Sequence, residues 1–302
     1  MRTALFICFS LFLFSCKQSA RHALVFQTDF GQKDGAVSAM KGVAFGISAD
    51  LPIYDLTHEI PPFNIWEAAY RLEQTSRYWP EGTVFVSVVD PGVGSERKSV
   101  VLKTNTGHYF VTPDNGTLTL VAASMGIAEV REIDEAVNRR RGSGQSYTFH
   151  GRDVYAYTGA RLAAGVIKFE EVGPKLPADV VRIAFAGAAR LADGTLTGGI
   201  PVLDIQYGNV WTNIGDSTFK QLQVKAGDLL DVTFEKAGSF ICRDTIPFVT
   251  TFAAVPEGAE LAYLNSLMNL SFAINQGSFS DAHQVLSGPD WNVAIKKLNP
   301  VK

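Results

Sequence analysis

The chain has very little cysteine: Cys8, Cys16 and Cys242 are the 3 among 302 residues. Two of them fall in the first 16 positions, where a cleavable leader is expected, so Cys242 would stand alone in the folded part. That excludes an intrachain disulfide framework and a metal centre built from thiolates of one chain. An excess of charge is lacking too: the formal net charge is -3, which implies no polyanion-binding surface and no nucleic-acid partner. The one basic run, "NRRRGSGQS" at 138–146, sits among Gly and Ser and reads as a solvated loop. No internal repeat or low-complexity segment is present. The length suits one large or two modest domains with substantial cores.

Long apolar runs are confined to the start, and even there the run is short. "MRTALFICFSLFLFSC" joins a basic beginning to an apolar stretch too brief for a comfortable span, followed by Leu13-Phe14-Ser15-Cys16. It reads as a secretory signal ending in a bacterial lipobox-like site, with Cys16 the lipidation position and "KQSARHA" a short tether. An uncleaved anchor helix is the alternative. The expectation is an exported bacterial lipoprotein, membrane-anchored and periplasm-facing, touching the membrane only through its N-terminal lipid. Residues 1–21 are accordingly set apart from the fold.

From residue 22 to about 185, β-rich runs alternate with helical patterns. "ALVFQTDF", "PIYDLT", "TVFVSVVD", "SVVLKTN" and "HYFVTPDNG" read as strands. "GAVSAMKGVAFGIS", "NIWEAAYRLEQTSRYW" and "RDVYAYTGARLAAG", the last ended by Gly165, read as helices. This predicts an N-terminal α/β layered domain with a mostly parallel sheet. Residues 195–302 change texture to short runs divided by turn signals, which predicts a smaller β-rich, barrel-like C-terminal domain.

In α/β sheets ligands gather beyond the carboxyl ends of strands. Asp29 closes the first strand, Asp90 closes "FVSVVD" with Arg97 seven residues on, and His150 lies in "YTFHGRD" before a helix. Each has an ordinary reading by itself: Asp as a helix cap, Arg as a surface ion-pair partner, His as a satisfied core residue.

Together they match a known pattern. "TDFG" at 28–31, "DLTHEIPPFNIWEAA" at 55–69, "DPGVGSER" at 90–97, "PDNG" at 113–116, "TFHGRD" at 148–153, "DIQYGNVWTN" at 204–213 and a looser "NSLMNLSFAINQG" at 265–277 run in family order over nearly the whole mature chain. In these motifs the chain resembles the S-adenosyl-L-methionine (SAM) hydroxide adenosyltransferases, the hydrolase branch of the group that includes the SAM-dependent fluorinase and chlorinase. The resemblance implies attack of water on the ribose C5′ of SAM, giving adenosine and L-methionine, with SAM as substrate and no cofactor or metal. It makes Asp90, Arg97 and His150 the water-activating group and leaves open which of Asp90 and His150 is the base. Asp29 takes the ribose hydroxyls, Phe63 walls the ribose and sulfonium, Asp204 meets the methionine ammonium and Asn209 reads adenine. Tyr207 and Phe252 flank the base, and Ser266 approaches the methionine carboxylate.

The departures are informative. Halogenases of the group have an aromatic residue at Asp90, a Tyr at His150 and a fluoride-binding Ser at Gly151; all three differences favour water. An Arg that partners the carboxylate in the fluorinase is replaced by Leu267. The family also implies a homotrimer with interface active sites. Two rivals remain: a halogenase of the same fold, and an exported nucleoside- or SAM-binding lipoprotein without turnover.

Overall fold

The structure is a computed structural model that describes residues 22–184 and 189–298; the leader and Cys16 lie outside the described residues. The N-terminal strands are β1 (Leu24–Thr28), β2 (Ile53–Thr57), β3 (Val84–Val88), β4 (Ser99–Lys103), β5 (Tyr109–Pro113), β6 (Glu129–Glu132) and β7 (Lys175–Leu176). They form one sheet in the order β2-β1-β3-β5-β4-β6-β7. β1 pairs in parallel with β2 and β3, and β3 with β5, whereas β4 is antiparallel to both neighbours and β7 to β6. Only β4 and β7 therefore run against the rest.

β1 and β3 are buried at every position, which is why their sequences are almost continuously apolar: a central strand covered on both faces has no polar side. Alternation along each strand divides these residues between two cores. Leu24, Phe26, Val84, Val86 and Val88 pack with Met40 and Ala44 of α1 (Ala36–Ile47) and with Tyr155 and Ala160. Val25 and Phe85 pack with Leu72 of α2 (Ile65–Ser76) and Val121 of α3 (Thr119–Met125). The start of α2 is set by Asn64, whose side chain accepts from the Glu67 amide.

The expected helix at 152–164 is present with a different beginning. Gly151–Ala156 forms a π-helical turn that passes into the helix Tyr157–Ala163, and Gly165 follows with φ +68°. A Cβ on Gly159 would stand 2.4 Å from Val86 Cγ2, so only glycine lets this helix lie so close to β3. α3, β6 and the one-turn helix α4 (Glu135–Asn138) were not foreseen. They are too short for periodicity to declare them and depend on packing against the sheet.

The C-terminal strands are β8 (Arg190–Ala192), β9 (Thr195–Ile200), β10 (Val202–Asp204), β11 (Asn209–Gly215), β12 (Leu229–Lys236), β13 (Ser239–Pro247), β14 (Glu260–Leu264), β15 (Asn269–Ile274) and β16 (Gly288–Lys297). They build two antiparallel sheets, β10-β11-β15-β14 and β13-β12-β16-β9-β8. Phe234 and Ile295 of one and Val210 and Phe272 of the other share a single core. α2 joins the domains: Trp66 Nε1 donates to the Pro201 carbonyl at 3.1 Å and Arg71 Nη2 to the Leu203 carbonyl at 2.7 Å. Tyr70 packs with Val202 and Trp211 at the same contact.

Candidate active site

Beyond β3 the chain leaves the sheet through "DPGVGSER" and returns at Ser99. The Val93 amide donates to the Asp90 carbonyl at 3.2 Å, the Ser95 amide to the Gly92 carbonyl at 3.0 Å, and Gly94 takes φ +78°. This tight fold converts a spacing of seven residues into a direct contact. Arg97 Nε lies 3.0 and 3.1 Å from the two Asp90 carboxylate oxygens, and Nη2 donates to Oδ2 at 2.6 Å. The other guanidinium arm donates to Ser99 Oγ at 3.1 Å, which hydrogen-bonds the Tyr155 hydroxyl at 3.0 Å. Burial opposes the charge on Arg97, but the hydrogen bonds to Asp90 together with the fields of Tyr155, Asp90 and Glu135 outweigh it and hold the guanidinium pKa above its usual value.

Asp29 approaches from the end of β1. Its Oδ2 accepts the Phe63 amide at 2.9 Å, and Phe63 is held at φ +66° and is 70% exposed. A left-handed aromatic residue is unusual and persists where its surroundings fix it. Burial raises the Asp29 pKa, and Asp90 nearby adds to the rise against the backbone hydrogen bonds. His150 is 4% exposed, and burial lowers its pKa. Asp29, Phe63, Asp90, His150 and Gly151 line one cavity of about 230 Å³. Arg97 is not in its wall and reaches it through Asp90.

The remaining expected residues lie elsewhere. Asp204, Tyr207, Asn209, Phe252 and Ser266 all line a cavity of about 1010 Å³ in the C-terminal domain. Asp204 and Asn209 face each other across the β10–β11 hairpin, and Asn209 Nδ2 donates to Asp204 Oδ2 at 3.2 Å. The hairpin is pinned at Gly208, with φ +66°, where a Cβ would meet Ser278 Oγ at 2.0 Å. Tyr207 is 65% exposed, while Phe252 sets its ring edge against Tyr263 at 5.0 Å. Within one chain the expected site is thus two half-sites lining separate cavities.

Three features went unread in the sequence. The run at 138–146 is not simply solvated: the Arg139 side chain is 9% exposed, pairs with Glu135 at 2.6 Å and touches His150 Nε2 at 3.1 Å. Arg140 pairs with Asp153 at 3.0 Å. The correction has a readable cause, since Glu135 and Arg139 are spaced i,i+4 as helix ion pairs are. Asn265, in the wall of the larger cavity, spends its Oδ1 on the Leu267 and Asn269 amides, and its buried Nδ2 has no partner among the described residues. Tyr155 and Ser99, which brace Arg97, carry no signal of their own. His58 is tied between Thr28 Oγ1 at 2.8 Å and Asp55 Oδ1 at 2.9 Å, a structural position.

Among the described residues, Asp244, Glu260 and His283 bring donor atoms within 4.8 Å of one another. His283 Nε2 already meets Glu260 at 2.7 Å, and none of the three lines either cavity.

A carboxylate–guanidinium pair beyond a strand end and a buried imidazole at a helix start, with an amide- and aromatic-lined cavity in a second domain, define a two-domain α/β protein equipped to act on a small molecule. The chain belongs to the SAM hydroxide adenosyltransferase family: that family's N-terminal domain matches residues 24–173 and its C-terminal domain residues 198–292. An (R)-S-adenosyl-L-methionine hydrolase of Thermus thermophilus is 33% identical over 85% of this chain and 93% of its own. One from Methanocaldococcus jannaschii is 48% identical over 139 residues, 45% of this chain and 51% of that protein. A fluorinase of Nocardia brasiliensis is 30% identical over 91% of this chain and 97% of its own. The crystal structure of an uncharacterized conserved protein from Thermotoga maritima superposes with a TM-score of 0.82 at 34% identity, covering 90% of this chain and 99% of that one.

Proposed function

We propose that this protein is a SAM hydrolase: water attacks the ribose C5′ of SAM and gives adenosine and L-methionine. The observation that carries the reading is Asp90, held by Arg97, facing the same small cavity as His150 and Gly151, in a chain whose relatives include several SAM hydrolases. The sulfonium leaves as a neutral thioether, so no acid or metal is needed to protect a departing anion. The difficulty lies in the nucleophile, since bulk water has a pKa of ~15.7. Asp90 and His150 are the groups able to take its proton, and Arg97 fixes the carboxylate and stabilises developing hydroxide character.

Fluorinase chemistry fits less well. A side chain at Gly151 would place its Cβ 3.1 Å from Phe30 Cζ and 3.3 Å from Val88 Cγ1, which crowds a halide-binding Ser, and Asp90 adds a negative charge where a halide would approach.

In this reading Asp29 and Phe63 hold the ribose, Asp204 the ammonium, and Asn209, Tyr207 and Phe252 the adenine. Ser266 and the free Asn265 amide serve the methionine carboxylate in place of an Arg. The separation of these residues into two cavities supports a homotrimer in which the N-terminal half-site of one protomer meets the C-terminal half-site of the next. The leader supports export and lipid attachment at Cys16. The deciding experiment is product analysis on residues 22–302: adenosine and methionine in equal amounts without added metal, with oxygen-18 from labelled water in the 5′ hydroxyl. Unlabelled adenosine would refute the mechanism.

A further inference from the structure

His150 has two ring nitrogens in unlike surroundings. Nε2 faces the Arg139 guanidinium at 3.1 Å, with a Glu135 carboxylate oxygen at 3.7 Å. Arg139 is itself gripped by Glu135, through Nε at 2.9 Å and Nη2 at 2.6 Å, and lies over the Tyr147 ring at 4.5 Å. A guanidinium has donors only and keeps its proton, so the nitrogen it points to must present a lone pair. That leaves the proton of neutral His150 on Nδ1. Nδ1 is buried and has no partner among the described residues, and the ring lines the cavity that holds Asp90.

We propose that Arg139, held in place by Glu135, is a positioning residue that keeps His150 neutral with its proton on Nδ1, so that the imidazole donates to the reacting oxygen and Asp90 receives the proton that water loses. The inference rests on the hydrolase reading and resolves which group is the base. One water O–H bond breaks and its proton passes to Asp90. An oxygen lone pair forms the bond to C5′, and the electron pair of the C5′–S bond leaves on sulfur as the neutral thioether. The proton is afterwards lost from Asp90 to solvent. Throughout, the Nδ1–H bond to the oxygen strengthens as hydroxide character grows, which is where a fixed donor accelerates most. A third cation at His150 would stand beside Arg97 and Arg139 and face a cationic substrate, so the neutral form suits the site. The balance on the ring agrees: burial, with Arg97 and Arg139, disfavours its protonation and outweighs Glu135 and Asp90, which favour it.

The test needs no substrate at its first stage. In nitrogen-15-histidine protein, long-range proton–nitrogen correlation, with His150 assigned by comparison with His150→Gln, is expected to show a protonated Nδ1 and an unprotonated Nε2 at neutral pH. The acid limb of kcat/KM for SAM should fall below the ordinary imidazole value of 6.5. Arg139→Gln removes a cation and should move that limb to higher pH, with kcat reduced roughly 10–100-fold, less than the ~10²–10⁴ of a direct proton-transfer group. Its KM should stay within about twofold. Glu135→Gln removes an anion and should move the limb the other way, and Arg139→Lys should recover part of kcat. A His150 with its proton on Nε2, an imidazolium at neutral pH, or an Arg139→Gln enzyme with an unmoved profile and kcat overturns the proposal. If wild-type protein leaves SAM intact, the hydrolase reading has failed instead, and the spectrum still reports the tautomer.

Discussion

Arg97 closes on Asp90 side-on, with Nε and Nη2 both engaging the carboxylate, and the two side chains are only 12% and 6% exposed. In so buried a pair the partners are not equivalent under mutation. Asp90→Asn keeps the shape and an acceptor for Arg97 but cannot take a proton, so kcat should fall by about 10² or more with KM changed only a few-fold. Arg97→Ala strips the carboxylate of its counter-charge, and breaking a buried pair costs about 3–5 kcal/mol. Asp90→Asn also leaves a buried guanidinium without its counter-charge but keeps one acceptor for it, so thermal unfolding should place both variants below wild type, Arg97→Ala the lower. An Asn variant that turns over SAM at the wild-type rate would remove Asp90 from the chemistry.

Asp29 should show the opposite balance between stability and function. Burial raises its pKa and Asp90 adds to the rise. With the folded value above the unfolded one, the ionised carboxylate disfavours folding as pH rises through and above that range. Asp29→Asn retains an acceptor for the Phe63 amide and removes the charge, so melting temperature at neutral pH should hold or increase. Substrate binding should weaken by about 1–3 kcal/mol, read as a higher KM with kcat much less affected. Lower stability with unchanged KM would mean that Asp29 serves only to fix the Phe63 turn.

How much of this was legible in the sequence follows from physical range. β1 and β3 announce themselves because a strand buried on both faces must be apolar throughout, and α2 because its buried stripe alternates with charge. Asp29, Asp90 and His150 are legible by their position at strand and helix ends, and the seven-residue Asp90–Arg97 spacing is short enough for one loop to close. Arg139 was misread because local composition, Gly and Ser around three arginines, suggests solvent. What buries it is the return of the chain at His150, a tertiary event. The division of the binding residues between two cavities was equally invisible, since motif order along a chain carries no information about which copy of the chain a residue faces.

Gly151 tests nucleophile choice. Ser at this position would bring its Cβ within 3.1–3.3 Å of Phe30 and Val88, so a neighbour must shift. Gly151→Ser should lower hydrolysis roughly tenfold by displacing the oxygen from its line of attack. It should yield no 5′-deoxy-5′-fluoroadenosine with added fluoride, because Asp90 and His150 remain. Chromatography with and without fluoride checks this; a fluorinated product would show that Gly151 alone excludes halide.

Place in the cell is tested at Cys16. Among the described residues no helix is long and apolar enough to cross a membrane. In the export reading proposed above, attachment rests on the leader and its lipids, where more than one acyl chain is normally required. Cys16→Ser should leave the protein unlipidated, either released from the membrane fraction or retained as the uncleaved precursor. Activity of purified residues 22–302 needs none of this. Fractionation that finds wild-type protein in the cytosol with its first 15 residues intact would rule out export.

The assembly makes the sharpest prediction, because the half-sites are far enough apart in sequence to be disabled independently. Asp90→Asn damages the cavity that holds Asp29 and His150, and the double variant Tyr207→Ala/Asn209→Ala damages the cavity that holds Asp204 and Phe252. If each active site joins one protomer's first cavity to a neighbour's second, a mixed oligomer contains sites whose two halves both come from undamaged domains. Such a site needs an N-terminal half from the double variant and a C-terminal half from the Asp90→Asn chain. Random reassembly of equal amounts in a closed ring then restores about one quarter of wild-type activity from two nearly inactive proteins. The mixture should be unfolded and refolded together, or co-expressed with different tags and purified on both, since a stable oligomer exchanges slowly. Sites contained within single chains would show no recovery above the summed residual activities, whatever the subunit count found by sedimentation.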